Sequence, residues 1–160
     1  MLNRRVLSLA ILAVAMSGCA SVRTPVSITD TISQNPSLST FNGLISQAGL
    51  SATLQGAGPF TVFAPSNDAF KLVPAKIMDD LAKHPEQLKS VLALHVIPAK
   101  VMAADVKNSS VKTLSGANVA LSRAGDFVTV EDAVVQKTDL QATNGVIHII
   151  DSVLMAPPKK

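Results

Sequence analysis

The spacing of apolar residues changes once along this 160-residue chain, near His95, and no other feature narrows the fold as much. Before that point apolar side chains recur at three- and four-residue intervals. Leu38, Phe41, Leu44, Ile45 and Ala48 share one helical face, Ile77 and Leu81 a second, and Leu88, Val91 and Leu92 a third. Beyond it the period falls to two. Val119 and Leu121 alternate with their neighbours, and residues 127–131, 133–140 and 146–154 are further strand candidates. Helices first and strands later, within a length that suits one domain, predict an α+β fold.

The punctuation residues agree. Thr29 and Asp30 suit the cap of a short helix that ends at Asn35-Pro36, and Gly49 stops the helix over 38–48. Residues 50–55 fit one more short turn before Gly56-Ala57-Gly58-Pro59 breaks the chain. Residues 60–64 (FTVFA) predict a buried strand, with Phe60, Val62 and Ala64 on one face and Thr61 and Phe63 on the other. Pro65 ends it, and Ser66 caps a helix over 67–72 with Asp68 in its first turn. Helices over 75–83 and 85–94 follow, the second opening on Pro85. Gly125 turns the chain into 127–131. Asn144-Gly145 suits a positive-φ turn before a last strand, on which Val146, His148 and Ile150 face away from Ile147 and Ile149.

The first eighteen residues read as a secretory signal rather than as fold. Arg4 and Arg5 precede a short apolar run, and Ser17-Gly18 stands directly before the chain's one Cys, Cys19. The run is shorter than the roughly 20 residues that a membrane-spanning helix needs. The segment resembles the lipobox of bacterial lipoproteins, which implies a lipid on Cys19. A plain signal peptide is the other reading, and it would leave a free thiol in an oxidising envelope. Ala20 rather than Asp follows Cys19, so in a two-membrane bacterium the expected destination is the outer membrane, facing periplasm or cell surface. The expected organisation is signal 1–18, tether 19–27, domain 28–155 and tail 156–160.

Composition then removes several functions. Without Arg4 and Arg5, 12 basic residues face 11 acidic ones, and no basic stripe exists to neutralise phosphates, so nucleic acid is not an expected partner. The five aromatic residues are all Phe, which leaves no Trp or Tyr platform. No pair of His or carboxylates has HExxH-like spacing, Ser66 lacks a G-x-S-x-G setting, and Gly56-Ala57-Gly58 is followed by no Lys-Ser/Thr. Asp79 and Asp80 with Lys76 and Lys83 read as an ordinary ion-paired helix surface, and His84 as solvated. No catalytic residue, metal or cofactor is expected.

Two long segments, residues 58–70 (GPFTVFAPSNDAF) and 144–154 (NGVIHIIDSVL), with LHVIPAKV at 94–101 between them, resemble the fasciclin domain. The likeness runs over nearly all of 28–155. It implies a fasciclin-like wedge of two short β-sheets covered by a helical layer. It also implies structural roles for Asn67, Asp68, His95, Asn144, Gly145 and His148. Leu94 stands where animal members carry the Tyr of a Tyr-His pair implicated in integrin contact, so that role is not carried over to His95. His95 is expected to fix backbone or a carboxylate such as Asp68, and His148 to be a satisfied, partly buried strand residue. The function implied is a non-enzymatic, envelope- or surface-anchored binding or adhesion module. Its partners would be membrane lipid through Cys19 and an unidentified matrix, cell-surface or envelope protein. The alternative is an envelope small-ligand carrier or hydrolase with His95 or His148 in a cleft.

Overall fold

A computed structural model describes residues 26–155; the expected signal 1–18, Cys19 and the tail 156–160 lie outside the described residues. Among the described residues, six short α-helices come with seven strands: α1 Ile28–Ser33, α2 Ser39–Gln47, α3 Ser51–Leu54, β1 Phe60–Pro65, α4 Asn67–Leu72, α5 Ala75–Lys83 and α6 Pro85–Leu94. Then follow β2 Val96–Ile97, β3 Ser109–Lys112, β4 Asn118–Ala124, β5 Phe127–Val130, β6 Ala133–Ala142 and β7 Gly145–Ile150. The fold is α+β, with the period change at His95 marking the last helix end. Ser27, not Thr29 or Asp30, caps α1: its hydroxyl accepts from the Asp30 N–H, so the helix starts two to three residues earlier than the pair suggests.

The strands are hydrogen-bonded in the order β2-β1-β7-β6-β5-β4-β3 as one seven-stranded array. The expected two short sheets are therefore joined through β6, which pairs with β7 on one side and β5 on the other. β6 is irregular: its register against β7 shifts between Val135 and Lys137 and again between Lys137 and Leu140. β1 lies parallel to β7, with Phe60 opposite Gly145 and Pro65 opposite Ile150. The remaining pairs are antiparallel.

β1 and β7 are buried on both faces, which is why both read as near-continuous apolar runs. Val62, Ala64, Ile147 and Ile149 face one core with Phe41, Ile45, Leu88 and Leu92 from the helices. Phe63 and Ile150 face a second core with Val119, Leu121, Val128 and Val130 of the later strands. Ile77, expected to share an inward face with Leu81, is instead 38% exposed, and Leu81 alone of that pair is buried.

Candidate functional site

Because β1 and β7 are parallel, residues beyond their opposite ends are separated by six residues of strand, about 20 Å. Asn144 and Gly145 stand at the start of the pair, Asn67 and Asp68 just past its end. The six residues singled out in the sequence do not converge on one point. Asn144 and Gly145 share one junction, Asn67, His95 and His148 each fix another, and Asp68 fixes none.

Asn144 closes the entry side. Its Nδ2 donates to the carbonyls of Leu54 and Gly56, and its Oδ1 accepts the Ile28 N–H at 3.0 Å. Its own carbonyl accepts the Phe60 N–H at 3.0 Å. One side chain thus joins α1, α3 and the loop into β1. Gly145 does not adopt the positive φ expected of it. It is glycine because a Cβ there would lie 2.0 Å from the Phe60 carbonyl oxygen and 2.8 Å from Ile28 Cδ1. Close approach, not turn conformation, selects the residue.

At the other end Asn67 caps a helix distant in sequence. α2 has Leu38 at its N-cap, which offers no side-chain acceptor. The Asn67 Oδ1 accepts the Thr40 N–H at 3.0 Å, and its Nδ2 donates to the Pro36 carbonyl at 2.9 Å. Asp68 is exposed and receives a hydrogen bond from Lys71 Nζ at 2.7 Å, a surface pair of little energetic weight.

Asp68 is not a partner of His95. The His95 ring is fully buried, and the Leu154 N–H donates to its Nε2 at 3.0 Å. Nε2 is therefore unprotonated, and Nδ1–H donates to the Val91 carbonyl at 2.8 Å. His148 adopts the opposite tautomer. The Asp139 N–H donates to its Nδ1 at 3.2 Å, and Nε2–H donates to the Val101 carbonyl at 2.9 Å. Its ring is buried rather than partly buried and stacks on Phe63, with centroids 5.4 Å apart. Burial lowers the pKa of His95 to about 4, against the opposing pull of the Val91 carbonyl. Burial also lowers that of His148, opposed by the Val101 carbonyl and the Asp139 carboxylate. Both imidazoles are thus neutral and bonded at both nitrogens. His84 is exposed.

Two junction residues were not foreseen. Thr61 is fully buried; its hydroxyl donates to the Ala99 carbonyl at 2.6 Å and accepts the Val101 N–H at 2.8 Å. A lone hydroxyl inside FTVFA was the available signal. Asp139 has φ +56° in the irregular part of β6, and its Oδ1 accepts the Ala103 N–H at 2.9 Å.

Two surface clefts open on the described part of the molecule. One, of about 530 Å³, borders Ser37, Asn67, Asp68, Lys71, Gln136 and Lys137. The other, of about 570 Å³, lies between the segment after β7 and the strand ends, bordered by Leu94, Val119, Glu131, Asp132, Leu154 and Met155. Neither is lined by a His. Among the described residues, no three His, Cys, Asp or Glu side chains are grouped so as to hold a metal ion, and no helix is long and apolar enough to cross a membrane.

Comparison with known proteins gives one consistent likeness. A family model described as "Fasciclin domain" matches residues 36–156. Protein sll1483 of Synechocystis sp. is 36% identical over 140 residues, which are 86% of this chain and 78% of that protein. Immunogenic protein MPB70 of Mycobacterium bovis is 36% identical over 130 residues, 78% of this chain and 66% of that protein. Transforming growth factor-beta-induced protein ig-h3 of Sus scrofa is 34% identical over 123 residues, but this chain spans only 18% of its length. Among solved structures, a FAS1 domain pair from the insect cell adhesion molecule Fasciclin I shares the fold at TM-score 0.73 and 17% identity. That match covers 82% of this chain and 51% of the other.

Proposed function

The chain belongs to the fasciclin domain family, and from that premise we propose that it is a non-enzymatic binding module that holds its cell to matrix, to another cell or to an envelope protein. The adhesive part of this reading follows the insect cell adhesion molecule whose domain pair shares the fold. The observation that carries the non-enzymatic part is the bonding of the two buried imidazoles. All four ring nitrogens are engaged by backbone groups, so neither ring has a lone pair or an N–H to offer a substrate. A carrier or hydrolase built on His95 or His148 would need at least one of them open to a cleft.

The anchoring belongs to the same proposal. Export, a lipid on Cys19 and residence in the outer membrane would present the domain on a short tether. Metabolic fatty-acid labelling tests this directly: label should be incorporated in the wild type and lost in Cys19→Ser. Label that survives the substitution contradicts the anchor, and recovery solely in inner-membrane fractions contradicts the outer-membrane step. For binding, attachment of producing cells to matrix-coated and cell-coated surfaces should fall when the protein is deleted. It should fall likewise with Cys19→Ser, which frees the domain from the cell. Unchanged attachment on deletion contradicts the adhesive reading.

A further inference from the structure

We propose that His95 is an acid-sensitive latch: it fastens the segment after β7 to the end of α6, and protonation at Nε2 releases that segment together with one wall of the adjoining cleft.

The latch follows from where hydrogen bonds stop. Asp151 is tied to β6 twice: its N–H donates to the Val134 carbonyl at 3.1 Å, and its Oδ1 accepts the Val134 N–H at 2.8 Å. Beyond it, among the described residues, 152–155 are held by one hydrogen bond, from the Leu154 N–H to His95 Nε2. Leu154 itself is buried, and it lines the cleft of about 570 Å³ with Leu94, Val153 and Met155. The segment is thus a flap with a firm root at Asp151 and, among the described residues, a single polar fastening. Neighbouring Leu94 belongs to the helix end that carries the fastening residue.

Protonation removes this fastening for a geometric reason. Nδ1–H already donates to the Val91 carbonyl, so an added proton must go to Nε2, where it would point at the Leu154 N–H. Two donors then face each other inside the core. No charged side chain bonds to the ring to offset the resulting cation: Glu131 and Asp132 on the adjoining cleft are exposed, and Glu131 Oε1 accepts the Ala120 N–H. α2, β1 and β2 contain no titratable side chain, and α2 presents Phe41, whose ring centroid lies 6.1 Å from that of His95. Glu86 and Lys89 of α6 are exposed. Asp151 holds the Val134 N–H, and His148 of β7 bonds to Asp139 and Val101. Movement of the flap lets water reach the imidazolium, so proton uptake and release of residues 152–155 are linked. Burial that holds the closed-state pKa near 4 is consistent with this.

The test is amide exchange at Leu154 in the full chain, corrected for the intrinsic pH dependence of exchange. Between pH 7 and 4.5, protection at Leu154 should fall about fifty-fold, from a closed-state pKa near 4 against 6.5 for a released imidazole. Urea below the unfolding transition should leave Leu154 unaffected while it accelerates exchange at Ile147 and Ile149, because a flap exposes little surface. His95→Gln, whose amide does not titrate in this range, should hold Leu154 equally at both pH values. Protection at Leu154 that ignores pH overturns the proposal. So does protection that follows urea as Ile147 and Ile149 do, or that stays pH-dependent in a folded His95→Gln. If His95→Gln does not fold, the pH and urea responses of the wild type decide alone.

Discussion

Asn144 shows how much of the architecture can rest on one amide. Its three side-chain hydrogen bonds reach α1, α3 and the loop into β1, all partly out of water. Asn144→Ala leaves two carbonyls and one N–H without partners, and at about 1–3 kcal/mol for each buried orphan a loss above about 3 kcal/mol is expected. Gly145→Ala should cost about 3 kcal/mol or more, because the Phe60 carbonyl that its methyl would meet is fixed by strand pairing. Phe63→Ala opens a cavity in the second core and should cost about 3–5 kcal/mol. Denaturant midpoints check all three, and unchanged midpoints would contradict these placements. The Asn-Gly pair stood out in the sequence, but its reason did not. A turn and a tight backbone contact select the same residue, and only the position of Phe60 separates them.

Helices and strands were legible wherever one element carried its own signal. α5 and α6 have the bounds that their spacing and Pro85 predict, and Ser66 caps α4 through its own hydroxyl. β2 and β3 went unforeseen. β2 has two residues, and β3 (SSVK) is a polar edge with no apolar alternation. The cap of α2 was also hidden, since its acceptor arrives from Asn67, 27 residues beyond Thr40. Asn67→Ala should cost about 1 kcal/mol and fray the first turn of α2, seen as lost amide protection at Thr40 with the strands unaffected. The His148 junction predicts a pH dependence. Its folded-state pKa lies below that of the unfolded chain, so the unfolded state binds more protons as pH falls below about 6.5. Stability is therefore complete above that pH and declines on acidification, by at most about 1.4 kcal/mol per pH unit for this residue. Urea midpoints should be flat from pH 8 to 7 and fall from pH 6 to 5. A His148→Gln chain that folds should have the smaller decline.

Across the whole molecule, the motifs that made the family recognisable are the parts that hold it together. GPFTVFAPSNDAF and NGVIHIIDSVL supply the paired central strands β1 and β7, the cap for α2 and the Asn144 junction. They were readable because such positions tolerate few side chains. A binding surface has no comparable signature: it depends on exposed residues spread over roughly 800 Å² per partner, each individually replaceable. By that asymmetry the imidazoles build the framework and the surface does the binding, a division of labour that a carrier or hydrolase built on His95 or His148 would lack. The most direct test of that division is to measure thermal unfolding and cell adhesion side by side for the wild type and His95→Ala. A lower melting temperature is expected, from a loss of about 1–3 kcal/mol at each of the orphaned Val91 and Leu154 groups, with adhesion per folded molecule unchanged. An unchanged melt with abolished adhesion, or a pH-dependent turnover that disappears with the imidazole, would contradict it.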